Sequence, residues 1–284
     1  AGPRAGGVRP LYRLVDQYDV DLLHANDFRS GVVASVVATL TGCPFVQHVH
    51  HTASHRNHPW LRRWLFRTAD TTIHVSEYTR QELADGESGH VVVRSPIDVT
   101  DLRDRPANPD MLAETHGLHG RPTVALIGRL APNKGHEAFI RAATEVDANF
   151  LVVGGGDDKA RSELESLVER LDVDDRVTFT GFWENVVDVY ALADVVVVPS
   201  YDENLPKVIQ EALAWEVPVV ASRSGGIPEL VVDEQTGLLV DPHDDGTALA
   251  TAIGRLLANN AFAAELATAG HDRLRSEFDI TVVT

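Results

Sequence analysis

Short runs of β-branched and other apolar residues alternate along the chain with longer segments in which apolar residues recur at helical spacing. The runs predict strands at 20–24, 44–48, 71–75, 90–93, 123–127, 149–153, 176–179, 194–198, 218–221 and 236–240. The segments between them predict helices at 30–40, 58–67, 77–84, 110–116, 134–145, 159–171, 184–192 and 206–215, and an amphipathic helical tail over 248–278. Continuous apolar strands that each precede a helix are typical of parallel sheets covered on both faces. The pattern therefore predicts a doubly wound α/β architecture of right-handed βαβ units.

One stretch, 95–122, interrupts this alternation with four prolines and several charges. Such a composition predicts an interdomain linker. A chain of 284 residues is also long enough for two domains. We therefore expect two α/β domains, roughly 1–105 and 106–270.

The charge balance is strongly acidic: 42 acidic against 25 basic residues give a formal net charge of −17. Nucleic acids and anionic membrane surfaces are therefore excluded as partners unless a local basic patch overrides the global field. The single cysteine, Cys43, excludes an intrachain disulfide framework, and a cytoplasmic location is expected. Almost all the basic residues are arginine. Such a composition is expected either of a protein that works in concentrated salt or of one encoded by a GC-rich genome.

Ligands of doubly wound folds bind beyond the carboxyl ends of the strands, so the following loops are where chemistry is expected. After the strand at 123–127, Gly128 is followed by Arg129 and then by Lys134, in the first turn of a helix that Asn133 is placed to cap. A cation is disfavoured at a helix N-terminus unless an anion lies there too. Arg129 and Lys134 therefore indicate a diphosphate clamp, although two ordinary surface charges would give the same pattern.

A second candidate loop follows the four consecutive valines of the strand at 194–198. Glu203 lies just before the next helix and Glu211 eight residues further on, which would place both carboxylates near one helix face. Carboxylates there suit hydrogen bonding to sugar hydroxyls, and solvated helix glutamates are the alternative. The amides of Asn204 and Leu205, just before the expected helix start at Pro206, are placed to meet a phosphate or a hydroxyl.

Two glycine-rich loops are less specific. Gly154–Gly156 does not have the spacing G-x-G-x-x-G, and the two aspartates beside it would repel a pyrophosphate, so a tight turn is favoured. Gly225 and Gly226 would let the backbone approach a ligand closely, or would form a flexible turn without one.

Taken in order, the strings GRLAPNKG, VTFTGF, ADVVVVPSYDENLPKVIQEALAWEVPVVAS, GGIPELV and TGLLVDP resemble the C-terminal half of the family 4 glycosyltransferases. The strings DLLHANDFRSGVVASVVATLTGCPFVQHVHH and ADTTIHVSEYTRQEL resemble the later part of that family's N-terminal domain. The resemblance covers nearly the whole chain. It implies the GT-B fold, with two Rossmann-like domains and a cleft between them. It also implies a retaining, metal-independent transfer of sugar from a nucleotide-diphosphate sugar.

The resemblance also implies roles for residues of the C-terminal half. Arg129 and Lys134, after Gly128, would hold the donor diphosphate. Glu211 would bind the ribose hydroxyls, and Glu203 would act on the transferred sugar as a catalytic residue.

Further roles follow from the same resemblance. The sugar–phosphate pocket would be lined by the backbone of Asn204, Leu205 and Pro206, and the base would meet the backbone near Gly181 and Phe182. His50 matches a histidine that faces the sugar from the N-terminal domain, and His48 and His51 are close competitors. A loop or core histidine is the alternative for any one of them.

The resemblance further implies a nucleotide sugar and a glycan, lipid-linked or small-molecule acceptor as partners, with no cofactor or metal and at most peripheral membrane association. Few residues precede the strand expected at 20–24, so we expect the chain to lack the first strands of the family's N-terminal domain and to be weakly active or inactive by itself. Residues 271–284 would begin the family's return helix. A nucleotide-sugar 2-epimerase of the same fold and a non-catalytic nucleotide-binding protein are the alternatives.

Overall fold

The computed structural model of the protein describes residues 7–84, 89–241 and 246–283. Contacts divide the chain into two compact units, Ala1–Ser95 and Pro96–Thr284. Both units are α/β, with parallel sheets.

The first unit is built around a parallel sheet. Its helices are α1 (Val8–Tyr18), α2 (Phe28–Thr41), α3 (Ala53–Asn57), α4 (Pro59–Thr68) and α5 (Glu77–Leu83). Its strands are β1 (Leu23–Ala25), β2 (Phe45–Val49), β3 (Thr71–His74) and β4 (His90–Val92). The strands pair in the order β1-β2-β3-β4, so each βα unit adds a strand at the same edge. The core beside the sheet includes Phe45, Leu65 and Leu83, which have no exposed surface.

The second unit has a larger sheet with helices packed on both of its faces. Its helices are α6 (Val99–Asp104), α7 (Pro109–His116), α8 (His136–Ala142), α9 (Asp158–Leu171), α10 (Val187–Leu192), α11 (Lys207–Ala214), α12 (Ile227–Leu230), α13 (Thr247–Ala258) and α14 (Asn260–Glu277). Its strands are β5 (Thr123–Ile127), β6 (Asn149–Val153), β7 (Val177–Gly181), β8 (Val195–Val198), β9 (Val219–Ser222) and β10 (Leu238–Val240). Among the residues described in the two units, no helix is both long and apolar enough to cross a bilayer.

The strand order of the second sheet is β10-β9-β8-β5-β6-β7, with every neighbouring pair parallel. The chain therefore starts in the middle of the sheet, builds outward to β7, and then returns to build outward from β8 to β10. The direction reverses between β5 and β8. In open α/β sheets this reversal leaves a crevice at the carboxyl ends of the two strands, which is where ligands bind.

The linker predicted over 95–122 is wrong. Val99 and Leu102 of α6 are buried in the core of the second unit, and Leu112 of α7 is fully buried. A backbone bridge joins Ile97 to Asp279, and Ile97 and Phe278 are also hydrogen-bonded through their backbones. The second unit thus begins at Pro96, ten residues earlier than the sequence predicted. The short helices of this proline-rich stretch form because their apolar side chains are buried in the core of the second unit.

Two other elements differ from prediction. The chain before β1 forms α1. No helix was predicted there because the segment begins with glycines. The tail is not one helix, because Asn259 ends α13 and caps α14 by accepting a hydrogen bond from the Phe262 amide. Residues 271–277 complete α14 and begin no new helix.

The first unit buries several neutral histidines. His74 is fully buried on β3, and its Nε2 lies 2.8 Å from Nδ1 of His90 on β4. Burial, which disfavours the charged ring, and to a lesser degree the charge of His90 together lower the pKa of His74 to about 4. Burial likewise lowers the pKa of His55 to about 4.

This burial predicts acid destabilisation. An unfolded histidine titrates near pH 6.5, so between pH 6.5 and 4 the unfolded chain binds more protons than the folded chain. The free energy of unfolding must then fall as the pH falls through that window. His74→Gln should flatten the slope, by at most about 1.4 kcal/mol per pH unit. Urea denaturation at several pH values, followed by circular dichroism, measures it.

The matched control is His119→Gln, at an exposed position. This variant should retain the slope of the parent chain. If His74→Gln and His119→Gln show the same dependence on pH, the buried histidine of β3 is not a source of the acid sensitivity.

Candidate functional site

The loops that follow β5 and β8 are in direct contact at the point where the strand order reverses. The amide of Tyr201 donates to the carbonyl of Asn133 at 2.9 Å, and the Asn133 side chain donates to the carbonyl of Asp202 at 3.4 Å. Gly135 has φ +70°, and a Cβ on it would overlap the Pro199 carbonyl. Only glycine allows this approach. Asn133 therefore joins the two loops and does not cap α8, as its position in the sequence had suggested.

Lys134 and Glu203 form an ion pair across these two loops. Their side chains are 26% and 15% exposed, so the pair is mostly shielded from water. Lys134 ends a 3₁₀ turn (Pro132–Lys134) and precedes α8, which begins at His136; it does not lie in the first turn of that helix. The stem of Lys134 passes close to Gly128: its Cδ would lie 3.9 Å from a Cβ placed there, an ordinary van der Waals distance.

Arg129 supplies a second positive charge in the loop after β5. Its side chain is exposed, and no hydrogen bond or ion pair joins it to another residue in the described part of the chain. The Lys134 charge is already compensated by Glu203, whereas the Arg129 charge is not. The two predicted clamp residues thus lie in one loop. An incoming anion would have to displace Glu203 to reach Lys134, whereas Arg129 is bound to no residue of the described part of the chain.

The loop after β9 fixes Glu203 by its main chain. Gly226 donates its amide hydrogen to the Glu203 carbonyl at 2.8 Å, and Gly225 has φ +56°, with no space for a Cβ beside the same carbonyl. The hydroxyls of Ser222 and Ser224 both donate to the Ser200 carbonyl. The two glycines therefore allow contact between loops of the protein, a role that the sequence had assigned to a ligand or to a flexible turn.

Glu211 lies on α11 and is held by a residue that the sequence analysis missed. The hydroxyl of Tyr190, on α10, donates to Oε2 of Glu211 at 2.6 Å. Burial, followed by the charge of Glu211, raises the pKa of Tyr190 well above its usual value, so the phenol stays protonated and keeps donating. α11 begins at Lys207, so Glu203 lies in the loop just before the helix and Glu211 lies within it, as the sequence predicted.

The three residues between Glu203 and α11 are buried. Asn204 and Leu205 are each 8% exposed, and the Leu205 side chain packs in the core beside α11. Pro206 caps the start of α11 with extended backbone. The Leu205 side chain thus anchors the loop, and the main-chain groups of this segment are placed to meet a ligand.

The loop after β7 presents an aromatic side chain to solvent. Gly181 ends the strand with φ +70°, and the ring of Phe182 is 81% exposed. The next turn is fixed by Asp188, a fully buried carboxylate that accepts hydrogen bonds from the Trp183 indole at 2.9 Å and the Asn185 amide at 2.7 Å. Asp188 was missed because its partners lie outside any recognisable motif.

The tight turn predicted at Gly154–Gly156 is confirmed. The Gly154 amide donates to the Gly181 carbonyl at 2.8 Å, and the Gly155 carbonyl accepts from the Leu130 amide at 2.9 Å. A Cβ on Gly154 would overlap the Gly128 carbonyl. These glycines thus bring together the loops that follow β5, β6 and β7.

The predicted histidines lie at the end of β2 in the first unit. His48 is inside the strand, with its ring stacked on that of His24 at 5.6 Å and tilted against that of His50 at 4.1 Å. His50 is the first residue beyond the strand and is partly buried, whereas His51 is exposed. Burial lowers the pKa of His48 to about 4 and also lowers that of His50, so both rings are neutral at pH 7.

Two family models match this chain. Residues 121–259 match "Glycosyl transferases group 1", and residues 2–100 match "Glycosyltransferase Family 4". The chain belongs to this family of glycosyltransferases. The family predicted from the sequence motifs is thereby confirmed.

Several characterised glycosyltransferases are similar to the chain. It is 31% identical to an alpha-D-kanosaminyltransferase of Streptomyces kanamyceticus, over 83% of this chain and 67% of that protein. It is 36% identical to a GDP-mannose-dependent alpha-(1-6)-phosphatidylinositol monomannoside mannosyltransferase of Mycolicibacterium smegmatis, over 71% of this chain and 56% of that protein. A D-inositol 3-phosphate glycosyltransferase of Corynebacterium diphtheriae is 34% identical to the chain, over 79% of this chain and 60% of that protein. The chain thus spans 56 to 67% of the length of these relatives.

Solved structures agree with the predicted GT-B fold. A crystal structure of Anabaena HepE in complex with UDP-glucose matches 97% of this chain and 79% of its own, with a TM-score of 0.89 and 25% identity. A sucrose-phosphate synthase of Thermosynechococcus elongatus matches 97% of this chain and 74% of its own, with a TM-score of 0.85 and 27% identity. The predicted fold class is therefore confirmed.

The contact between Gly225 and Glu203 predicts a strong effect of one added methyl group. Gly225→Ala would place its Cβ against the Glu203 carbonyl, which is backbone, at a residue with positive φ. We expect the free energy of unfolding to fall by about 2 kcal/mol or more. Urea denaturation measures this change.

Gly254→Ala, within α13, is the matched control because a Cβ there meets nothing within 4 Å. It should leave stability unchanged or raise it by about 0.5–1 kcal/mol, as expected for glycine inside a helix. Equal stabilities of the two variants would contradict the close contact between the loops.

Proposed function

We propose that the protein transfers a sugar from a nucleotide-diphosphate sugar to an acceptor hydroxyl, with retention of the anomeric configuration. The observation that carries this proposal is the Lys134–Glu203 pair, at the strand reversal where doubly wound folds bind nucleotides. Family membership supports the reaction class. The names of the similar proteins include GDP-mannose and UDP-glucose, so the base and sugar of the donor stay open.

In this proposal, Lys134 and Arg129 bind the donor diphosphate. A diphosphate arriving at the loop after β5 meets the exposed guanidinium of Arg129 and then competes with Glu203 for the Lys134 ammonium. A diphosphate carries more negative charge than one carboxylate, so the Lys134 ammonium is attracted to it more strongly than to Glu203 once the diphosphate is in place. Glu203 is then released to accept hydrogen bonds from hydroxyls of the transferred sugar.

The ribose is assigned to Glu211. A carboxylate has about four acceptor positions, and Tyr190 uses one of them. The remaining positions suit two adjacent ribose hydroxyls, and the Tyr190 hydrogen bond holds the carboxylate still before the nucleotide arrives. The exposed Phe182 ring and the backbone at Gly181 would meet the base, which the loop fixed by Asp188 presents.

The reaction breaks the bond between the anomeric carbon and the diphosphate oxygen and forms a bond from the acceptor hydroxyl on the same face of the sugar. Negative charge grows on the leaving diphosphate, so Lys134 and Arg129 stabilise the transition state more than the ground state. The acceptor proton leaves with the departing phosphate or with solvent. The role that the resemblance implies for His50 stays a prediction; its neutral ring offers one hydrogen-bond donor and one acceptor.

An epimerase of the same fold is the second candidate, because it would use the same diphosphate site. The two reactions differ in product: an epimerase changes the donor without an acceptor, and a transferase releases nucleoside diphosphate only when the acceptor is glycosylated or water attacks. Product analysis with and without acceptor separates them. A chain that binds donor and turns over nothing would be a nucleotide-binding protein without catalysis.

One prediction of this proposal concerns the affinity of the chain for nucleoside diphosphates. Lys134→Ala removes one charged hydrogen bond and leaves the Glu203 carboxylate facing the phosphates, so binding should weaken by about 1.5–3 kcal/mol, roughly ten- to a hundredfold. Calorimetry with UDP, GDP and ADP measures the change.

The double variant Lys134→Ala/Glu203→Gln should recover part of the loss, because it removes the uncompensated carboxylate. Arg121→Ala, just before β5 and so at the opposite end of that strand from the loop at 128–135, is the control and should bind as the parent chain does. Equal affinity of the parent chain and Lys134→Ala would refute the phosphate assignment.

A further prediction concerns metal ions. If the two cations of the loop after β5 supply the charge that the leaving diphosphate needs, no divalent metal is required. Excess EDTA should then leave nucleoside diphosphate affinity unchanged, within about twofold. Loss of binding in EDTA that magnesium restores would overturn this part of the proposal.

A further inference from the structure

The α4 helix carries an exposed aromatic and basic face that the proposed reaction does not use. Trp60 is 86% exposed, and Leu61 and Trp64 are 42% and 38% exposed. Tryptophan is among the residues that proteins bury most, so two exposed rings one helical turn apart are unusual. Arg63 and Arg67 are exposed on the same side of the helix, also one turn apart. We call Trp60, Leu61, Arg63, Trp64 and Arg67 the outer face of α4.

The opposite side of α4 is firmly packed. Leu65 has no exposed surface and Phe66 is 6% exposed, and both belong to the core of the first unit. Spacing of 100° per residue places Leu65 and Phe66 opposite Trp60, with Arg63 and Arg67 beside the tryptophans. The outer face is therefore held in position by the core and turns its aromatic rings outward.

The charge around α4 is opposite to that of the chain as a whole. Between Asp27 and Asp70 the sequence contains no aspartate or glutamate, but it contains five arginines, in a chain of net charge −17. One of them, Arg56, is hydrogen-bonded to Glu82 and Tyr78 on α5. Surface charges act over about 8 Å at physiological salt, so an anionic surface that approaches α4 meets Arg63 and Arg67 of its outer face at short range.

We propose that the outer face of α4 docks the protein on an anionic phospholipid surface. Tryptophan rings prefer the boundary between lipid headgroups and acyl chains, and arginines beside them pair with anionic headgroups. The acidic remainder of the chain is repelled by the same surface, which orients the molecule with α4 toward the lipid. A symmetric contact between two copies through this face would oppose Arg63 and Arg67 to their own equivalents, which favours lipid over a second copy.

Docking in this way does not depend on sugar transfer. It would bring the protein to a surface where an acceptor carried by a lipid is concentrated. The test therefore measures vesicle binding directly, and nucleoside diphosphate affinity is measured on the same variants as a separate readout.

The experiment is flotation of the chain with vesicles of phosphatidylcholine alone or of equal parts phosphatidylcholine and phosphatidylglycerol. The parent chain should partition onto the anionic vesicles at least about tenfold more strongly, and added salt should weaken this binding. Trp60→Ser/Trp64→Ser and Arg63→Glu/Arg67→Glu should each bind at least about tenfold more weakly. Tryptophan emission should shift to the blue on binding in the parent chain and not in Trp60→Ser/Trp64→Ser.

Matched controls change the same chemistry elsewhere. Tyr12→Ser/Tyr18→Ser removes two exposed aromatic rings from α1, and Lys159→Glu/Arg161→Glu makes the same change of net charge on α9. Both should bind vesicles within about twofold of the parent chain. Circular dichroism should be unchanged in every variant. Nucleoside diphosphate affinity should be unchanged in the α4 and α1 variants, since the proposed function places none of their residues against the nucleotide.

Three results would overturn the proposal. The first is equal or absent binding to the two kinds of vesicle. The second is undiminished binding by both α4 variants. The third is a chain that self-associates through α4 in sedimentation without lipid, or that binds heparin or duplex DNA as tightly as it binds the anionic vesicles.

Discussion

Close main-chain packing between the loops after β5, β8 and β9 is the constraint on which the candidate site depends. The strand order reverses between β5 and β8, so their loops leave the sheet side by side. Gly135 admits the Pro199 carbonyl and Gly225 admits the Glu203 carbonyl, in spaces that a Cβ would fill. Lys134 and Glu203 are thereby held opposite each other by backbone, and their ion pair is a consequence of the packing.

The same packing gives the site its electrostatic character before any ligand arrives. Glu203 neutralises Lys134 while Arg129 is exposed, so the loop after β5 presents one compensated and one uncompensated cation. In the proposed function, a diphosphate would bind by exchanging partners with Glu203, and that exchange would free a carboxylate for the sugar. Tyr190 holds Glu211 in the same way, with a phenol whose raised pKa keeps it a donor. The proposed function would therefore couple phosphate binding and sugar binding through Glu203.

Local patterns predicted the sheets well and the loops poorly. β5 and β6 have the predicted bounds because continuous apolar strands buried on both faces leave little ambiguity. α6 was missed because its formation depends on burying Val99 and Leu102 against distant helices. The start of α11 was predicted to within one residue because Pro206 marks it, so Glu203 precedes the helix and Glu211 lies within it. The Tyr190 contact joins two elements that no sequence spacing relates, and Trp60 stands out only once its exposure is known.

The most direct test of the account is a crystal structure of the chain with the nucleoside diphosphate that binds it most tightly. The account predicts the diphosphate between the loops at 128–135 and 199–206. Its oxygens would lie within hydrogen-bond distance of the Lys134 ammonium, which would have left Glu203, and the ribose would lie against Glu211. A nucleotide bound away from these loops, or a Lys134–Glu203 pair left intact beside it, would contradict the account.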